Sequence, residues 1–274
     1  MKTRSLVALV FIPAFIAVIC FAPLWVWGIF IGLVSAVAAW ELLRCTENDL
    51  SVRIRLYACV SAFAIPAWRG FGGADGTTTV VFVLFLLIMC DLIFSFRKGH
   101  TTLAIETVGS VLLAGAVMPI LLGALVRLGL DEETSAVNRL LPLAVTFASD
   151  SGAYFMGVFL GKHPLAPQLS PKKTIEGTIG GFLGSIAVTM IFGFVCQLAG
   201  FSVNYLILLG YAVIGSFICQ VGDLSFSAFK RLCDVKDYGN LIPGHGGVLD
   251  RFDSMHFTAP LIEVLVFWIP AILP

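Results

Sequence analysis

Apolar residues run in long unbroken stretches along this chain, and polar residues gather in a few short segments between them. Stretches of about 20 mostly apolar residues can cross a hydrocarbon core of about 30 Å. They lie at about 5–22, 24–43, 77–96, 105–126, 139–160, 178–200, 203–221 and 256–273. A shorter one at 54–68 is flanked by Arg53, Arg55 and Arg69, whose long side chains can reach the interface. The pattern predicts nine transmembrane helices. It shows no barrel-like alternation, and a lipid-embedded span of this length must satisfy every amide internally, which a helix does. The expected class is all-α: a polytopic integral membrane protein. Lys2 and Arg4 before the first run also resemble the start of a signal peptide. However, Cys20-Phe21-Ala22-Pro23 is not a small-x-small cleavage site, and a second apolar run follows at once.

Composition sharpens this picture. Of 274 residues, 58% are hydrophobic and 12% charged, and the mean hydropathy is +0.97. A soluble domain carries about twice that charge to cover its surface. Disorder and a secreted disulfide scaffold are excluded by the same numbers. Zero net charge without a basic face disfavours nucleic acid as a partner. Cys20, Cys59, Cys90, Cys196 and Cys219 lie in apolar runs and read as buried small residues, while Cys45 and Cys233 lie in charged segments. No CxxC pair or metal-like spacing occurs, and no disulfide is expected. Trp25, Trp27, Trp40, Trp68 and Trp268 fall near predicted helix ends, as an aromatic belt would.

Charge placement orients the helices. With the N-terminus in the cytoplasm, 14 of the 17 lysines and arginines fall inside, and Arg69, Arg127 and Arg139 fall outside. Positive charge is expected to concentrate on the cytoplasmic side. Residues 1–138 read as apolar helices with short loops, a lipid-facing scaffold. Residues 139–274 carry the polar segments, at 149–177 and 222–256, both on the cytoplasmic face and able to meet there. Gly177, Gly180, Gly181 and Gly184 read as a small face for close helix packing. Asp91 stands inside a span with no basic residue nearby in sequence and is given no chemistry.

The segment 222–256 holds the candidate chemistry. Asp250 and Asp253 are three residues apart, hence on one face if helical, and Asp223 closes the preceding span. Hard carboxylate oxygens suit Mg²⁺. Lys230, Arg231, Lys236 and Arg251 suit phosphate oxygens. Gly244-His245-Gly246-Gly247 opens just before Asp250, where glycines let backbone N–H groups approach an anion. Such a set meets the needs of phosphoryl or nucleotidyl transfer. A solvated loop would explain a single pair such as Lys236 and Asp237, but has no need of the whole set. Asp150 and Asp223 adjoin apolar runs, where a bare charge is costly.

Ser227, Lys230-Arg231, Lys236-Asp237, Pro243-x-His245-Gly246-Gly247 and Asp250-Arg251-x-Asp253 together resemble the signature of the phosphatidate cytidylyltransferase (CDP-diacylglycerol synthase) family. Ser170-Pro171-Lys172-Lys173-Thr174-x-Glu176-Gly177 and Asp150-x-Gly152-Ala153-Tyr154 are similar to two further blocks of that family, so the likeness covers roughly 149–256. It implies transfer of CMP from CTP to phosphatidic acid, giving CDP-diacylglycerol and pyrophosphate. It also implies a need for Mg²⁺, with K⁺ able to share the site, and a homodimer. On this resemblance Asp223, Asp250 and Asp253 are the expected metal ligands. Lys172, Lys173, Lys230, Arg231 and Arg251 are expected to meet phosphates. Asp150, Thr174, Glu176, Ser227, Lys236, Asp237, Gly246 and Gly247 are expected to bind substrate. His245 has two readings, a donor to pyrophosphate or a brace for the glycine turn. Many family members have a basic residue where Val158 stands; if it holds phosphate there, either Lys162 replaces it here or the contact is dispensable. The expected location is a bacterial cytoplasmic membrane, with the site facing the cytoplasm.

Three other readings compete. A related enzyme, a membrane cytidylyltransferase or a CTP-dependent kinase, could act on an isoprenoid lipid. A transporter could use Asp91, Asp150 and Asp223 as ion relays, which predicts an internal repeat that the two halves do not show. An inactive scaffold would lack some residue of the signature, and none is missing.

Overall fold

The computed structural model describes residues 19–46, 50–72, 74–97, 104–241 and 246–274. The expected span at 5–22 lies almost wholly outside these. Among the described residues six helices are long and apolar enough to cross a membrane: Leu24–Thr46 (α1), Thr77–Ser95 within Thr77–Arg97 (α3), Ile105–Arg127 (α4), Ser135–Leu160 (α5), Ile175–Leu198 (α6) and Tyr205–Leu232 (α7). Two more helices coincide with expected runs. Val52–Gly70 (α2) carries Arg53, Arg55 and Arg69, which lower its apolarity. Met255–Trp268 (α9) has 14 residues, about 21 Å, and is short for a full crossing. The protein is mostly helical, but not purely so. Pro164–Ala166 (β1) pairs antiparallel with Ser170–Thr174 (β2), and Ser202–Val203 (β3) with Ile272–Leu273 (β4). A four-residue helix, Leu249–Phe252 (α8), precedes α9.

Side-chain packing ties the two ends of the sequence together. Ala38, Leu42 and Leu43 of α1 share a core with Ala58 and Ala62 of α2, Leu84 and Ile88 of α3, and Phe226, Tyr238 and Leu249. Trp27 and Ile31 share another with Leu125, Val126, Met255 and Ala259. Trp27 thus departs from the expected belt: it is fully buried and its Nε1 donates to Leu125 O at 2.9 Å. Buried indole needs such an acceptor. Trp25, Trp40, Trp68 and Trp268 are exposed, as lipid- or interface-facing residues would be. All seven cysteines are free; Cys196 and Cys219 are buried, whereas Cys90 is exposed on α3 rather than buried. Asp91 is not alone, since Arg53 from α2 reaches its Oδ1 at 2.7 Å.

Helix α4 contains one π-helical turn, Leu113–Val117. A π turn leaves backbone groups short of partners, and Ser61 of α2 donates to Gly115 O at 2.7 Å. Helices α5 and α6 meet through glycine. A Cβ on Gly152 would strike the Gly180 carbonyl, and one on Gly184 would lie 2.6 Å from Ala148 O. Gly177 and Gly181 abut Ala153 O and Ser149 in the same seam. This is the close packing expected of those glycines. Gly152→Ala should therefore force the helices apart at a cost of about 1–3 kcal/mol. Thermal unfolding in detergent should show it, while Gly210→Ala, whose methyl group meets nothing within 4 Å, should leave the transition unchanged.

Candidate active site

The site is built at one end of the bundle by α5, the β1–β2 hairpin, α7 and the stretch through α8. With 28 residues α7 is about 42 Å long, more than the hydrocarbon core needs. Asp223 lies about 27 Å along it, near the far edge of such a core. Helical spacing puts Asp223, Ser227 and Lys230 on one stripe of α7. Cys219, one turn earlier on the same stripe, lies 3.4 Å from Asp150 Oδ1 of α5. Lys173, on β2, forms an ion pair with Asp223 Oδ2, and both side chains are only partly buried. This pair is the open part of the site.

Asp253 follows α8 and accepts the Ser254 amide at 2.7 Å. Burial, with the charges of Asp223 and Asp150, pushes its carboxyl up to about 7, against the pull of the Ser254 amide and Lys230. Asp150, Asp223 and Asp253 therefore crowd their negative charge. The donor set fits a hard divalent cation in its chemistry: all oxygen, and more charge than the nearby lysines relieve. Among the described residues no three carboxylate, histidine or cysteine groups already close into a ligand sphere.

Asp250, one of the expected metal ligands, is held by the protein on both oxygens. Its side chain is buried; Oδ1 accepts from Lys230 Nζ at 2.9 Å. Oδ2 accepts the amides of Tyr238 at 2.9 Å and Gly247 at 3.0 Å. Asp250 thus ties α7, the 238 loop and the glycine turn into one unit. Tyr238 completes it: its hydroxyl donates to Phe226 O at 3.0 Å, its ring lies 5.5 Å from Lys230 Nζ, and burial raises its phenol so that it stays neutral. Gly246, with φ +83°, holds a left-handed conformation that glycine adopts without strain. Gly244 and His245 lie outside the described residues, so neither reading of His245 is decided.

Several expected substrate-binding residues have partners within the protein. Thr174 caps α6 by accepting the Gly177 amide at 3.1 Å. Glu176 accepts the amides of Lys162 and His163 at 3.1 and 3.2 Å and meets His163 Nδ1 at 2.6 Å. These contacts shape the entry to the hairpin. Arg231 donates to Leu169 O at 3.2 Å and pins the hairpin tip to α7. Lys162, Lys172, Lys236, Asp237 and Arg251 are exposed around the opening. Val158 is exposed on α5.

One residue of the site escaped the sequence reading. Glu41, buried in α1, accepts the amides of Val248 at 3.0 Å and Leu249 at 2.8 Å. Of the 244–247 amides expected to face a substrate anion, that of Gly247 is taken by Asp250; the next two, of Val248 and Leu249, are taken by Glu41. The available signal was a lone carboxylate in an apolar helix.

Comparison with known proteins adds the family. The sequence matches the Cytidylyltransferase family over residues 2–269. It is 34% identical to the phosphatidate cytidylyltransferase of Bacillus subtilis (strain 168) over 266 residues, 96% of this chain and 95% of that relative. The phosphatidate cytidylyltransferase of Staphylococcus aureus (strain COL) is 47% identical over 122 residues, 44% of this chain and 46% of the relative. That of Staphylococcus saprophyticus is 42% identical over 130 residues, 47% of this chain and 49% of the relative.

Proposed function

The chain belongs to the cytidylyltransferase family, and from that premise we propose that it transfers CMP from CTP to phosphatidate, releasing pyrophosphate and leaving CDP-diacylglycerol in the membrane. The observation that carries the reading is the partly open Lys173–Asp223 pair beside Asp150 and Asp253, toward the C-terminal end of the long apolar helix α7. There a soluble nucleotide can meet a lipid phosphate that stays in the bilayer. The reading includes nine crossings with the N-terminus and the site on the cytoplasmic side of a bacterial membrane. On family resemblance it also includes a homodimer.

The chemistry asks little of a general base. Phosphatidate is a phosphate monoester, largely dianionic near neutral pH because the second pKa of such esters is about 6. The obstacle is repulsion between two polyanions, so the task is neutralisation and alignment. Lys173 and Lys172 on the hairpin, Lys230 on α7 and Arg251 on α8 surround the opening with positive charge. Asp223, Asp250 and Asp253, faced by Asp150, would hold Mg²⁺, with K⁺ able to share the site, and Lys230 would then be available to a phosphate. Bound there, a divalent cation supplies charge neutralisation at phosphate oxygens. Ser227, on the Asp223–Lys230 stripe, is placed to donate to the same phosphates. Thr174, Glu176 and Arg231 hold the hairpin that carries Lys172 and Lys173. Lys236, Asp237, Gly246 and Gly247 line the loop beside Asp250.

The reading is tested with purified protein in detergent, CTP and Mg²⁺. Pyrophosphate release should appear only when phosphatidate is added; release with an isoprenoid alcohol instead would overturn it. Lys173→Ala should lower kcat/KM for CTP about 10- to 100-fold, the worth of about 1.5–3 kcal/mol for a hydrogen bond to a charged group. Steady-state kinetics at saturating phosphatidate checks this.

A further inference from the structure

Glu41 lies far in sequence from every motif of the site, yet its carboxylate lies against Gly239, Gly247 and the two amides that follow Gly247. Both oxygens are engaged, Oε1 by the Val248 amide and Oε2 by that of Leu249. Two backbones close over it. A Cβ on Gly247 would come within 2.5 Å of Oε2, and one on Gly239 would collide with Oε1. Neither glycine has a positive φ, so what these positions require is room for a carboxylate rather than an unusual backbone. A buried carboxylate is costly unless its oxygens are paired, so the contact holds α1 and the turn together. Directly after the two amides come Asp250, Arg251 and Asp253. Phe252 O, at the other end of this stretch, meets His256 Nδ1 at 2.6 Å.

We propose that Glu41 is a positioning residue for the transfer, an internal anion that holds the amides of Val248 and Leu249 and so sets the direction of Asp250, Arg251 and Asp253. The proposal rests on the cytidylyltransferase reading above. It gives the N-terminal half a part in the chemistry, through a contact 207 residues apart in sequence. It also means that incoming phosphates are met by side chains, since the amides of 248 and 249 are already satisfied. The rival arrangement is a placeholder, in which CTP displaces Glu41 from the turn.

The test uses the full chain in mixed micelles of detergent and phosphatidate. Wild type, Glu41→Gln, Gly239→Ala and the double variant are compared. Misplacing the aspartates by about 1 Å should lower kcat about 100-fold in each single variant, with KM for phosphatidate unchanged and Mg²⁺ activation moved to higher concentration. The two substitutions undo one contact, so the double variant should be no worse than the weaker single. Hydrogen exchange should quicken in the peptide holding Val248 and Leu249 and nowhere else. Gly239→Ala keeps the buried charge, so it decides the matter if Glu41→Gln loses protection throughout. Wild-type kcat in Gly239→Ala, effects that multiply in the double variant, or a lowered KM for CTP in Glu41→Gln would each overturn the positioning role. A wild-type protein that makes no lipid product would refute the underlying activity, whereas an active wild type with unaffected variants refutes Glu41 alone.

Discussion

Asp250→Asn is expected to abolish lipid labelling and to loosen the protein as well. The carboxylate holds one ammonium and two backbone amides at once. An asparagine side chain has one oxygen for three donors, and its own NH₂ would face a donor. Breaking a buried pair on one side costs about 3–5 kcal/mol, because the partner is left uncompensated; here that partner is Lys230, whose side chain is mostly buried. Lys230 would lose its place over Tyr238, and the glycine turn would lose one of its ties. Activity should fall at least about 100-fold, the usual loss when a group that stabilises transition-state charge is removed. The thermal transition in detergent should drop by several degrees. Kinetics and thermal unfolding on the same preparation check both parts.

Asp223→Asn should cost as much activity and almost no stability. Its ion pair with Lys173 is partly exposed, and such pairs contribute about 0–1 kcal/mol. Against that loss stands relief, since Asp223 repels Asp253 and Asp150. The two terms oppose each other, so the unfolding temperature should stay within a degree or two or rise. Activity should still fall at least about 100-fold, because the carboxylate at the open end of the site is gone. Groups held in mutual repulsion for function commonly show this trade. Equal destabilisation in the two variants would mean that Asp223 braces the fold as Asp250 does. The pair of variants thus separates a carboxylate that organises the site from one that serves the substrates.

Hydropathy made the membrane class, most helix positions and the two polar segments legible in the sequence. That signal is local: a run of apolar residues needs lipid wherever its partners are. The glycine seam between α5 and α6 was legible for the same reason, since small residues at helical spacing leave few other uses. Partnership across the chain was not legible. Asp91 reads as isolated because Arg53 lies 38 positions away on another helix. Trp27 reads as a belt residue because its place near a helix end is visible and Leu125 O is not. The glycine run reads as open to a substrate anion, while the two amides that follow it, of Val248 and Leu249, are held by Glu41 of the protein's own α1. Asp250 reads as a metal ligand by residue type; that Lys230 and two backbone amides also meet its oxygens is not visible in the sequence. In each case the sequence shows the chemical need, and the fold decides which group meets it.

The most direct measurement gives the purified full chain CTP labelled at the α-phosphorus, Mg²⁺, and phosphatidate or an isoprenoid alcohol as acceptor, then counts label in the extracted lipid. The account predicts label in lipid with phosphatidate alone, one pyrophosphate released for each CMP transferred, and no lipid label when the CTP carries it at the γ-phosphorus. Label passing to the isoprenoid instead, or γ-label reaching the lipid, would contradict it.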